Sequence, residues 1–221
     1  EKMKTLYLKS IKITLIAAVL FIFTATSVYA FGLGDLIGGG GDSGPDLGSK
    51  QTAVTASLTE ALKDLSKSQS LMLKALGLDE KAKLSEENQK CIAAGDCGAK
   101  DDIEKSIELA ESAQKAIEEE TAKGKTLDAA SKAVFVSSVP FYIKGAIGTI
   151  KTGKEAVDAG KSLASAGPMA LLKVGTLVTI VSNLPTLVTK LASSTGSIID
   201  FMSNNGLEDE ASDMKSKIDF K

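Results

Sequence analysis

Cys91 and Cys97, the only two thiols, enclose the segment Cys91-Ile-Ala-Ala-Gly-Asp-Cys97. A pair at this spacing can close a small disulfide ring or lend two sulfurs to a metal. Tetrahedral sites need four ligands, and the chain has no His to complete a set. The pattern therefore favours a disulfide, which would constrain the unfolded chain by about 2 kcal/mol.

Other residues with chemical potential carry weaker patterns. Ser112-Ala-Gln-Lys115 has the S-x-x-K spacing that sets a hydroxyl beside an amine one helical turn away. Its companion motifs are absent, and the polar, Glu-rich surroundings keep a Lys protonated. Gly148-Thr-Ile-Lys-Thr-Gly-Lys154 approaches a phosphate-binding loop, but Glu155 stands where a Mg²⁺-binding hydroxyl is required. The flanking pattern is helical, with no strand to launch such a loop, so these glycines read as places where helices pack closely. Glu104, Glu108, Glu111 and Glu118 fall on one helical stripe. Di-metal bundles add Glu-x-x-His to such a stripe, so this one reads as a solvated acidic face.

Absences narrow the chemistry further. The sequence has no His, Arg or Trp, and all 26 basic residues are Lys. Ser-His and Cys-His nucleophile pairs are excluded, as is the planar guanidinium fork for carboxylate or phosphate. Catalysis through carboxylates, Lys, Ser or Tyr stays open, for instance on an envelope polymer, and would need a cleft with two converging acids. No catalytic residue, cofactor or metal ligand is assigned.

Position in the cell is the clearest expectation. Lys4, Lys9 and Lys12 precede the apolar run Ile13–Phe23, and Val28 and Ala30 supply the small residues of a cleavage site. Residues 1–30 thus read as a secretory signal peptide. The run is roughly half of the ~20 residues a membrane span needs. An exported protein, periplasmic or extracellular, follows, and export agrees with a disulfide. Residues 31–221 carry 22 Lys and 27 acids, which argues against nucleic acid as a partner. Nucleotide is not expected either.

The elements that must position these residues are helical throughout. Residues 31–49 are Gly-rich and read as a flexible arm. From Ser49 onward, Val54, Leu58, Leu62, Leu65, Met72 and Leu76 share a face, with Gly77 as the stop. A polar helix over Asp79–Ala94 and another capped by Asp101 or Asp102 bracket the cysteines, which would clip the turn of a hairpin. Thr126–Ala166 reads as a long helix kinked at Pro140 and ended by Gly167-Pro168. Met169–Ser182 is apolar nearly all round, and Asn183-Leu-Pro185 reads as a break and restart. Leu207, Ala211, Met214 and Ile218 pattern a last, acidic, loosely held helix. The expected fold is all-α, a bundle of about six or seven helices over residues 50–206, with an acidic tail over 207–221.

Residues 133–206 hold six Lys and three acids, against the acidic segments on either side. Within them the apolar stretch 133–192 is the most suggestive surface: Val134, Phe135, Phe141, Tyr142 and Ile143, then Leu177, Val178, Ile180 and Val181. These residues either fill the centre of the bundle or form a hairpin that meets a membrane or a partner. Two functions are therefore expected. The first is an exported, non-catalytic bundle that binds a protein or cell-envelope component, or its own copy as a homo-oligomer. The alternative is a membrane-active, pore-forming-like protein that inserts the 133–192 hairpin.

Overall fold

The computed structural model describes residues 46–220, and the expected leader and nearly all of the Gly-rich arm lie outside them. These residues form seven helices: α1 (Leu47–Ala75), α2 (Asp79–Ala94), α3 (Lys100–Thr121), α4 (Ala129–Ala164), α5 (Pro168–Lys173), α6 (Gly175–Asn204) and α7 (Glu208–Lys217). No strand occurs among the described residues. The fold is an all-α bundle.

Helix ends follow local chemistry. The Asp46 carboxylate accepts from Ser49 N at 3.0 Å and starts α1 two residues before the expected helical onset. Asp128 does the same for α4, accepting from Ser131 N at 2.7 Å. The Ser49 hydroxyl and then its amide hold the Asp46 carboxyl below its usual range, and the Ser131 amide and then its hydroxyl do so for Asp128. The expectation that Asp101 or Asp102 caps α3 is corrected. Ala99 holds the cap position, and both acids sit in the first turn, where they oppose the helix dipole's positive end. Gly77 stops α1 as expected, and Gly206 stops α6. Both have positive φ, and the residue after each donates back to the helix, Leu78 to Leu73 O at 2.8 Å and Leu207 to Met202 O at 3.0 Å.

Four long helices build the core. α1 packs on α4, α4 on α6, α6 on α3 and α3 on α1, while α2 lies against α1 and α3. α1 and α4 run antiparallel, with Gly145 against Leu65 and Gly148 against Ala61. A Cβ on Gly145 would stand 2.6 Å from Leu65 N, so only glycine allows the two backbones this close. Leu58, Leu62, Leu65, Ile107, Ile117, Phe135, Tyr142, Leu177, Leu184 and Leu191 are among the side chains sealed inside. The last helix is held more firmly than its composition suggests, because Ala211 and Met214 are buried against the bundle.

Two breaks differ from expectation. Pro185 lies inside α6, which runs unbroken through Asn183-Leu-Pro185. Pro185 is exposed, so the backbone acceptor it leaves without a donor is on the water-facing side. Pro140 sits likewise on the exposed side of a continuous α4. The real interruption is Val174, which leaves helical geometry at φ −119° and ψ 38° and buries its side chain. Met169–Ser182 is therefore two helices, not one. The first is the short α5, started by Pro168 in its first turn.

Candidate functional site

A polar layer crosses the middle of the bundle and unites all four long helices. Gln69 of α1 donates to Ala110 O at 2.8 Å and to Gln114 Oε1 of α3 at 3.2 Å. Gln114 in turn donates to Tyr142 Oη of α4 at 3.1 Å and to Ser194 Oγ of α6 at 2.6 Å. Thr195 Oγ1 lies 2.9 Å from Tyr142 Oη and donates its own proton to Leu191 O, which leaves the tyrosine to donate to Thr195. Ser194 in turn donates back to Lys190 O at 2.7 Å, and Gln69 Oε1 is the one acceptor of the layer left without a donor. Burial pushes the Tyr142 hydroxyl up to about 12, so it stays neutral and donates. The layer contains no nucleophile–base pair and no opening to solvent. Its chemistry is register, because each helix must present one position at one height to satisfy its neighbours.

The motifs weighed in the sequence are not gathered into a reactive site. Ser112 and Lys115 both face water, and Lys115 pairs with Glu119 at 3.8 Å. The cleft beside Ser112 has a volume of about 20 Å³, room for roughly one water. Gly148-to-Lys154 lies within α4, where Gly153 faces Val188 and Gly148 faces Ala61. Among the glutamates, Glu108 is exposed and Glu111 meets Lys190 at 2.5 Å. Among the described residues no group of three or more Cys, Asp or Glu side chains is close enough to hold a metal. Cys91 and Cys97 are at disulfide distance, with Cα atoms 5.5 Å apart, and join the end of α2 to the turn before α3.

The apolar candidates divide between core and surface. Phe135, Tyr142, Ile143, Leu177 and Ile180 are buried. Val134, Phe141 and Val181 are half-buried, and the Lys67 ammonium sits 3.7 Å from the centre of the Phe141 ring. Val178 alone of the set is exposed. α4 is the only described helix long and apolar enough to cross a membrane, yet half of its most apolar window is covered by the bundle.

The surface that does stand out was hidden in the sequence. Met169 and Leu172 of α5 are 71% and 79% exposed, the largest values among the big apolar side chains. They are three residues apart and so lie on one side of their short helix. No residue of α5 is buried, although Ala170 and Leu171 lean on the core. The outer face of α4 runs up to this corner. At 3.6 residues per turn, Lys144, Ile147, Lys151, Lys154, Val157, Asp158 and Lys161 occupy an arc of about 140°. Ile147 and Val157 are exposed within it. Asp158 pairs with Lys161 at 2.7 Å, and Lys151 lies 4.0 Å from Glu155. An open groove of about 290 Å³ lies between α1 and α4, lined by Lys50, Val54, Ser57, Glu155 and Asp158. The signal for the corner was in the sequence as Gly167-Pro168 followed by Met-Ala-Leu-Leu-Lys173. It was masked by continuity with the apolar residues after Val174. No family model, curated protein or solved structure matches this chain.

Proposed function

We propose that the protein is an exported, non-catalytic helical bundle that binds a component of the cell envelope. The observation carrying this reading is the pairing of Met169 and Leu172 on an uncovered corner, beside a core otherwise closed on itself. Large apolar side chains held in water cost free energy, and a partner that covers them recovers it. The interior polar layer serves helix register, and the absence of His removes the commonest acid–base group at neutral pH. Export is supported by the leader-like order of residues 1–30 and by the disulfide distance of the cysteines. The test is co-sedimentation of the purified protein with envelope fragments of the source cells. Saturable pelleting, reduced by Leu172→Asp and unchanged by Leu84→Asp on the distant α2, supports the reading. Absence of pelleting overturns it.

The membrane-active hairpin has one specific observation in its favour, the length and apolarity of α4. It must first uncover Phe135, Tyr142, Leu177 and Ile180 and break the Gln114–Tyr142 layer. Dye release from liposomes that is lost on Val178→Asp, with helicity kept, would establish it. The closed-bundle reading expects the dye to stay inside.

A further inference from the structure

The envelope component that fits this corner is identifiable from its charge and its area. We propose that the outer arc of α4 and the α5 corner dock on an anionic phospholipid bilayer, with Met169 and Leu172 entering the headgroup region while the bundle stays closed. This rests on the binding reading above and names the surface bound.

Charge is the first argument. From Ala129 to Val174 the chain carries six Lys and only two acids, Glu155 and Asp158, while the described residues before it are acidic. Lys144, Lys151, Lys154 and Lys161 line the exposed arc, and Lys173 closes α5 beside Leu172. Three of these lysines also meet acids, Lys144 with Asp64 at 3.3 Å, Lys151 with Glu155 at 4.0 Å and Lys161 with Asp158 at 2.7 Å, all on exposed ammonium groups, and the Ala129–Val174 block keeps its excess of six Lys over two acids. Lysines spaced along a face, each on a long apolar stem, place ammonium groups at phosphate level while neighbouring apolar side chains go deeper.

Area is the second. Two side chains on a six-residue helix fall well short of the roughly 800 Å² per partner that a stable protein interface buries. A bilayer asks for no such area, because a few inserted side chains and a basic surface add their effects. A symmetric contact with a second copy is disfavoured, since it would bring two lysine-rich faces together.

Flotation of the full chain with vesicles tests the proposal, comparing equal parts phosphatidylglycerol and phosphatidylcholine with phosphatidylcholine alone. Binding is expected to the anionic vesicles only, to fall as salt is raised, and to leave an encapsulated dye in place. Met169→Asp with Leu172→Asp is expected to weaken it about tenfold or more, as is Lys151→Glu with Lys154→Glu. Leu84→Asp is expected to leave it unchanged, and circular dichroism confirms that each variant is folded. Equal binding to both vesicles, indifference to the α5 variants, or dye release on binding each overturns it. Envelope pelleting without vesicle binding sinks the bilayer and spares the binding reading. Failure of both sinks both.

Discussion

Tyr142 is the residue on which burial and hydrogen bonding meet most tightly. Its hydroxyl is sealed inside the bundle, accepts from Gln114 and lies 2.9 Å from Thr195 Oγ1. Burial raises its ionisation from 10 to about 12, so the folded chain keeps a proton that the unfolded chain releases near pH 10. The stability tied to this proton is whole below pH 10 and drains as pH rises toward 12. Urea midpoints measured across that window are expected to fall more steeply for the native protein than for Tyr142→Phe. At neutral pH the Phe variant is expected to lose about 1 kcal/mol. Gln114→Leu is expected to cost more, about 2–3 kcal/mol, because it removes three buried bonds at once, the acceptor for one Gln69 Nε2 hydrogen and the donors to Tyr142 Oη and Ser194 Oγ. Equal urea midpoints for these two variants at pH 7 would refute the layer's directionality. The sequence spacing puts Gln114 on one stripe with Ile103, Ile107, Ala110 and Ile117, but its partners on the other three helices were not legible until the fold set Gln69, Tyr142 and Ser194 around it.

At the scale of elements, glycine divides into two kinds that the sequence alone does not distinguish. Gly145 faces the α1 backbone at a distance that excludes a Cβ, whereas Gly196 of α6 is exposed and has open space around it. Gly145→Ala is expected to destabilise by about 1–3 kcal/mol, since Leu65 N cannot yield without moving α1. Gly196→Ala is expected to stabilise by about 0.5–1 kcal/mol through helix propensity alone. Thermal melts moving in the same direction would contradict this account of α1–α4 packing. The helices themselves were readable because their apolar spacing is regular: Asp79–Ala94 and the stop at Gly77 match the structure. Misreadings came where local preference and tertiary position conflict. Proline normally breaks a helix, yet Pro185 stays within α6 because its missing donor faces water. Val174 carries no breaker chemistry, and it ends α5 because turning there buries its side chain. That hidden break is why the α5 corner, the centre of the binding reading, was not visible as a separate feature.

The whole molecule ties its two ends differently. At the end holding α5, little more than Ala170 and Leu171 fastens the corner to the core. At the opposite end, Asn205 binds the α3–α4 connection from both sides. Its Oδ1 accepts from Leu127 N at 2.8 Å, and its Nδ2 donates to Lys125 O at 3.2 Å. α7 then folds back, with Met214 fully buried. Composition alone predicted a fraying acidic tail there, so the two descriptions make opposite forecasts for one substitution. If α7 belongs to the cooperative unit, Met214→Ala removes core packing and lowers global stability by about 2–4 kcal/mol. If the helix frays, the same change leaves the main transition where it was. Native-state hydrogen exchange separates the cases independently, because amides of a docked α7 open only with the bundle while those of a loose tail exchange at once. The structure favours the first outcome. A native-like urea midpoint for Met214→Ala, together with fast exchange across Glu208–Lys217, would show that the bundle's cooperative unit stops at Asn205.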